Sequence, residues 1–247
     1  VAAIAVLTLS LRTYKLNTPL ADWHSWRQAD TSAVTRNFLK SDRINWLYPV
    51  FDDLSSVASG MPNPMGYRFV EFPLYNAATV LVNKVLVDDV TIEGAGRLTT
   101  GFFSVAAMIF LFLLCRKFIG RRVAYLSALA FATIPYSIYY GRTILPDPAM
   151  VASSLGAIWF TTKYGENGKK RNFILGLVFA AVALLIKPFA IFLLAPIVYL
   201  WWVNFGFNFR KFIILLCFIL IMATPFLLWR YWMSPFPEAI PSNDCLF

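Results

Sequence analysis

Three carboxylates in this chain are candidates for chemistry. Asp30 lies four residues after Trp26 and four before Val34, Glu71 precedes Phe72-Pro73, and Asp147 sits between Pro146 and Pro148. On a helix those intervals put Asp30 on the same stripe as Trp26 and Val34, so it needs a neutralising partner such as Arg27, three residues earlier. A carboxylate held at an apolar boundary has its pKa raised toward working pH and can serve as a general base. Each position also has a plainer use. Asp30 would suit a helix-surface ion pair, Glu71 the positive start of a helix, and Asp147 an N-cap with proline at the first helical position.

Four cations could face those acids: Arg27, Arg97 at the start of one apolar run, Arg142 beside Tyr139 and Tyr140, and Lys187 inside an apolar stretch. Arginine grips a phosphate by forked hydrogen bonds and lysine as a point charge, so the set suits a lipid phosphate; snorkelling to headgroups is the alternative. The single histidine, His24, stands among tryptophans, as a substrate partner or an interfacial packing residue. Oxygen ligands would suit Mg or Mn, but no dense ligand motif demands a metal. Cys115, Cys217 and Cys245 lie far apart, which supports neither a disulfide framework nor a zinc site.

The elements that must position these residues are membrane helices. The chain is 59% hydrophobic and 14% charged, with a mean hydropathy of +0.62; an integral membrane protein fits these values and a soluble domain does not. The net charge of +9 then marks cytoplasmic loops, not nucleic-acid binding. Candidate spans are Arg97 to Cys115, Val123 to Tyr140, Pro148 to Thr162, Phe173 to Ile186, Phe189 to Val203 and Phe212 to Trp229. Lys187-Pro188 breaks the apolar series into two half-depth helices or one kinked one. Val1 to Leu11, about half of the roughly 20 residues needed to cross a bilayer, reads as the outer part of a truncated first helix. The sequence is accordingly expected to be the amino-terminal fragment of a longer protein, inactive by itself.

The expected fold is thus all-α and polytopic, with about seven transmembrane helices and a large extracytoplasmic insertion after the first. Its divisions are residues 1–11, the insertion 12–96, the bundle 97–229 and a further outer segment 230–247. Basic clusters at residues 116–122, 163–171 and 210–211 fall on one side if the spans alternate, and that side is the cytoplasm. Of the thirteen acidic residues only Glu166 falls in such a cytoplasmic loop. Within the insertion, Trp23 to Lys40 reads as a helix, Asn45 to Gly66 as irregular loop, and Phe72 to Val87 as an amphipathic surface helix with Leu74, Ala77, Ala78, Leu81 and Val85 as its stripe.

The string His24-Ser25-Trp26-Arg27-Gln28-Ala29-Asp30-Thr31, followed by Glu71-Phe72-Pro73-Leu74-Tyr75, Gly96-Arg97 and Leu145-Pro146-Asp147, resembles the amino-terminal half of GT-C glycosyltransferases. The likeness is to the bacterial branch related to protein O-mannosyltransferases and aminoarabinose transferases. It implies a polyprenyl-phosphate sugar donor, an inverting transfer to a lipid, glycan or protein acceptor on the outer face of the bacterial inner membrane, and a catalytic carboxylate in the first outer loop. By that resemblance Asp30 is the expected base, with Asp22 as its rival in the same loop. Glu71 and Asp147 would support it, while His24, Arg27 and Gln28 would contact donor or acceptor and Arg97, Arg142 or Lys187 would hold the leaving phosphate. A lipid or solute transporter is the competing class, since broken helices and buried charges also occur there.

Overall fold

A computed structural model describes residues 1–20, 23–41, 43–86 and 90–241. The described residues include ten α-helices, α1 (Ala2–Arg12), α2 (Ser25–Lys40), α3 (Leu74–Val85), α4 (Ile92–Phe118), α5 (Arg121–Thr133), α6 (Pro135–Tyr140), α7 (Asp147–Asn167), α8 (Lys170–Ile186), α9 (Ala190–Phe205) and α10 (Phe209–Met233), and a short 3-10 turn at Pro237–Ala239. No strand occurs among them, and a single isolated bridge joins Val50 to Tyr67. Every expected apolar run is helical. Of these helices α4 and α10 are long and apolar enough to cross a membrane, whereas α1 and α9 are shorter apolar helices.

α7 forms the centre of the bundle and packs against α4, α8 and α9, with α10 on the far side of α8. It can do so because its buried face, which also holds Met150 and Ile158, is rich in Ala149, Ala152, Ser153, Ser154, Gly156 and Ala157, small residues that let helix backbones approach closely. The expected span from Val123 to Tyr140 is instead two helices, because Pro135 has no N–H to donate to the Phe131 carbonyl. That freed carbonyl accepts from Ser137 Oγ at 2.6 Å and from the Arg12 guanidinium at 3.1 Å, and Arg12 also reaches the Ala132 carbonyl at 3.3 Å. A buried arginine at the end of α1 therefore satisfies the helix break and ties α1 to it.

Lys187 takes the extended conformation that a residue before proline prefers, and it separates α8 from α9. Trp201 near the end of α9 packs on Tyr164 and Phe173, the latter at the start of α8. The two helices are therefore an antiparallel hairpin and not one kinked rod. Gly120 and Gly168, both at positive φ, end α4 and α7 at the first two basic turns. These turns meet at one end of the bundle, where Glu166 pairs with Lys117 and, at 2.8 Å, with Lys163. Lys211 of the third lies over the Phe205 and Tyr164 rings.

The insertion covers the opposite end. Buried polar bonds hold it down: the Ile144 amide donates to Gln28 Oε1 at 3.0 Å, Asn76 donates to the Thr31 carbonyl at 2.8 Å, and the Tyr75 hydroxyl donates to the Gly96 carbonyl at 2.8 Å. They also leave much of the expected apolar stripe of α3 outward, the side that a helix lying along a membrane surface presents to lipid. The buried residues of α3 are Tyr75, Asn76, Thr79 and Val80, while Leu81 and Val85 of the expected stripe are 66% and 80% exposed. The polar groups needed partners inside the protein, which left the apolar stripe facing outward.

The close approach of α7 and α8 sets the spacing of their ends, where Asp147 and Lys187 lie. A Cβ on Gly156 would stand 2.7 Å from the Phe179 ring. Gly156→Val is therefore expected to lower stability by about 1–3 kcal/mol through overpacking, read as a shifted thermal unfolding midpoint in detergent. An unchanged midpoint would show that this contact has slack.

Candidate active site

The site begins with a charge pattern repeated in opposite directions. α2 carries Arg27 and Asp30 one turn apart, and the irregular segment before α3 carries Arg68 and Glu71 with the same spacing. The segment runs antiparallel to the helix, so each cation meets an acid: Arg27 lies 2.5 Å from Glu71 and Arg68 lies 3.0 Å from Asp30. Arg27 Nη2 donates to both oxygens of Glu71. Local bonds fix the segment, since the Arg68 amide donates to the Pro49 carbonyl at 2.8 Å and Asn63 exchanges two hydrogen bonds with Tyr67.

The bundle supplies the rest. Lys187, between α8 and α9, donates to both Asp147 oxygens at 3.0 Å and lies 4.0 Å from Glu71. Glu71 is thus flanked by Arg27 and Lys187, and Lys187 by Glu71 and Asp147. The three carboxylates singled out in the sequence converge on one end of the molecule through their cations. Arg27, Asp30, Arg68, Glu71 and Lys187 line one cavity of about 590 Å³, whose apolar wall includes Trp26 and Phe189.

The two deepest acids titrate apart. Burial pushes Asp30 above the ordinary carboxylate range, and Arg68 and Arg27 only partly oppose this. Burial would raise Glu71 too, but there Arg27 and Lys187, with the Arg27 hydrogen bond, outweigh it and hold Glu71 low. Paired carboxylates pushed apart in this way are the arrangement that separates a proton acceptor from a fixed anion.

Other expected site residues fall elsewhere. Arg97, 2% exposed, donates to the Leu16 and Thr18 carbonyls at 2.6 and 2.5 Å. Arg142 donates to the Lys15 carbonyl at 3.3 Å and lies over the Tyr14 ring. Both fasten the chain leaving α1 and do not line the cavity, because the carbonyls of that irregular stretch need donors. Gln28 is fully buried as the staple to Ile144 and donates to the Trp23 carbonyl. His24 occupies a left-handed turn ahead of α2 with its ring edge-on to Trp23, also away from the cavity. The expected Arg27 partner for Asp30 is corrected to Arg68, since Arg27 is drawn to Glu71. Asp22 lies outside the described residues. Among the described residues no group of three or more His, Cys, Asp or Glu is placed to hold a metal ion.

Sequence reasoning missed Arg68 and the nearby Asp53, which also lines the cavity. The signal available for Arg68 was the equal spacing of Arg27-Asp30 and Arg68-Glu71. It becomes a pairing rule only when the two segments are known to run in opposite directions.

Among the described residues, then, two helices are long and apolar enough to cross a membrane, and a charged cavity with an apolar wall lies at one end of the bundle. The sequence profile described as dolichyl-phosphate-mannose-protein mannosyltransferase matches residues 73–229. The chain belongs to that family and is a membrane glycosyltransferase of the GT-C type. No curated protein and no solved structure matches it. The matched region includes Asp147 and Lys187, and Asp30, Arg68 and Glu71 precede it.

Removing one partner of a shielded ion pair leaves an uncompensated charge. Arg27→Met is expected to cost about 3 kcal/mol, and adding Glu71→Gln should recover much of it. The folded-state pKa of Glu71 lies below its ordinary value of 4.5. Its contribution to stability is therefore full above that value and is lost as pH falls through the lowered one. Unfolding titrations of wild type and Glu71→Gln between neutral and acid pH check this, and the gap between the two proteins should narrow toward acid.

Proposed function

We propose that the protein transfers a sugar from a polyprenyl-phosphate donor to a lipid, glycan or protein acceptor at the extracytoplasmic face of a bacterial inner membrane, with inversion, and that Asp30 is the general base. The observation that carries this reading is a cavity in which Asp30, a carboxylate raised by burial, lies beside Arg27, Arg68 and Lys187, with an apolar wall at Phe189. Family membership supports a lipid-linked sugar donor. The outer bundle end is assigned from the gathering of the basic turns at the other. The reading keeps seven membrane crossings, with α5 and α6 together as one.

In the proposed reaction an acceptor hydroxyl gives its proton to an Asp30 oxygen as its own oxygen bonds to the anomeric carbon. The bond from that carbon to the phosphate oxygen breaks on the opposite side, and the electron pair leaves with the lipid phosphate. Lys187 and Arg27 are the cavity cations that would take up the developing charge. Because each already rests against a carboxylate, the donor phosphate must compete with Asp147 or Glu71 for them. Arg68 keeps Asp30 ionisable, and Glu71 stays charged to hold Arg27 and Lys187 in place.

The Lys187-Pro188 break, which suits a transporter when read as a discontinuous helix, is the turn of the α8–α9 hairpin.

A positioned general base contributes about 10²–10⁴-fold. Asp30→Asn in the complete protein should lose transfer by that order with radiolabelled polyprenyl-phosphate sugars and envelope acceptors, while lipid binding is retained. Undiminished transfer eliminates Asp30. Because only the ionised form accepts a proton, the acid limb of kcat/KM should lie above the ordinary aspartate range, near 3.8, and rates should fall as pH drops through it. Orientation is checked separately: Ser55, exposed in the insertion, replaced by cysteine should react with an impermeant maleimide from outside intact cells. Labelling only after the inner leaflet is opened would invert the topology.

A further inference from the structure

A second cavity, of about 470 Å³, lies at the opposite end of the bundle between α4 and α7. α4 contributes Leu113, Arg116 and Lys117, and α7 contributes Trp159, Lys163 and Glu166. None of these residues belongs to the sugar-transfer site. Three cations share the cavity with one carboxylate, which leaves excess positive charge. Exposed like charges ordinarily spread apart; here Glu166 gathers two of them, one oxygen bound to Lys117 and the other 2.8 Å from Lys163. The Lys163 ammonium also lies 4.8 Å above the Trp159 ring, so its position is set from two directions. The side chains of Lys117 and Lys163 remain 27% and 34% exposed, and each ammonium has three protons to donate. The result is a pair of cations, placed by the facing ends of α4 and α7, that a second anion can take over in competition with Glu166.

The chemistry that fits is a phosphate, and its setting favours a phosphate carried on lipid. The cavity lies on the flank of α4, a helix long and apolar enough to cross a membrane, and its lining changes from Arg116 and Lys117 to Leu113 within one turn. Trp159 adds an amphipathic ring of the type that sits at headgroup level. Basic pockets between membrane helices bind anionic headgroups. We propose that the cleft between α4 and α7 binds the phosphate of an anionic phospholipid through Arg116, Lys117 and Lys163, with Leu113 and Trp159 against the start of an acyl chain. Such a lipid would bridge α4 and α7 at the basic turns, far from the transfer cavity, and its binding does not depend on the transfer reaction.

The complete protein, purified and exchanged into phosphatidylcholine micelles doped with phosphatidylglycerol, tests this by native mass spectrometry of retained lipid. Phosphatidylglycerol should be retained over phosphatidylcholine, and the affinity should fall about fivefold for each cation removed, as in Lys117→Gln or Lys163→Gln. Glu166→Gln removes the competing carboxylate and should tighten retention, a direction that misfolding would not produce. Equal retention of the two lipids, or weakened retention in Glu166→Gln, overturns the proposal. Displacement of the lipid by millimolar inorganic phosphate would show a free-anion site and overturns the lipid assignment.

Discussion

The end of the molecule that carries the insertion depends on the antiparallel match between Arg27-Asp30 and Arg68-Glu71. An unpaired charge at an apolar boundary is expensive, and two opposite pairs at equal spacing can be neutralised together in one register only. Arg27 on Glu71 and Arg68 on Asp30 satisfy that register at 2.5 and 3.0 Å. The match holds an otherwise irregular segment against α2, and so gives a loop the fixed geometry that a site needs. Lys187 extends it into the bundle by touching both Glu71 and Asp147.

The bundle makes that extension possible through economy of side-chain size. Small residues along α7 bring α4, α8 and α9 close, and the turn at Lys187-Pro188 then falls beside the start of α7. An apolar cluster of Phe69 and Phe72 against Trp229 of α10, together with buried polar bonds, seats the insertion on this platform. Gln28, Asn76 and Tyr75 each reach a backbone group of a neighbouring element. Such bonds are directional, so they fix position more narrowly than a greasy interface would. Arg97, Arg142 and Arg12 do related work by supplying donors to irregular or broken backbone. Arg97 and Arg142 were expected as phosphate ligands, but their guanidinium groups are used on carbonyls.

Electrostatically the cavity around Asp30 and Glu71 is nearly self-neutralised. Its cations rest on acids, and its acids differ in environment: Asp30 is dominated by burial and Glu71 by two cations. That asymmetry lets neighbouring carboxylates have different roles without any difference in their chemistry. The other end of the bundle follows the contrary rule. Glu166 there is outnumbered, and the local charge stays positive.

Much of this was legible in the one-dimensional sequence. Apolar runs interrupted by basic clusters determine helices and their alternation, because lipid demands internally satisfied backbone and cations collect on one side. The setting of Asp30 on an apolar stripe determines that it needs partners, while Glu71 and Asp147 stand out as charges at helix starts. What those partners are was decided by tertiary structure, since ion pairing depends on direction and depth and not on distance along the chain. Arg68, 38 residues from Asp30, became its partner only when a loop ran backwards along α2. Likewise, whether Pro135 and Pro188 kinked helices or ended them, and which face of α3 turned inward, depended on carbonyls, amides and side chains from distant segments competing for the same hydrogen bonds.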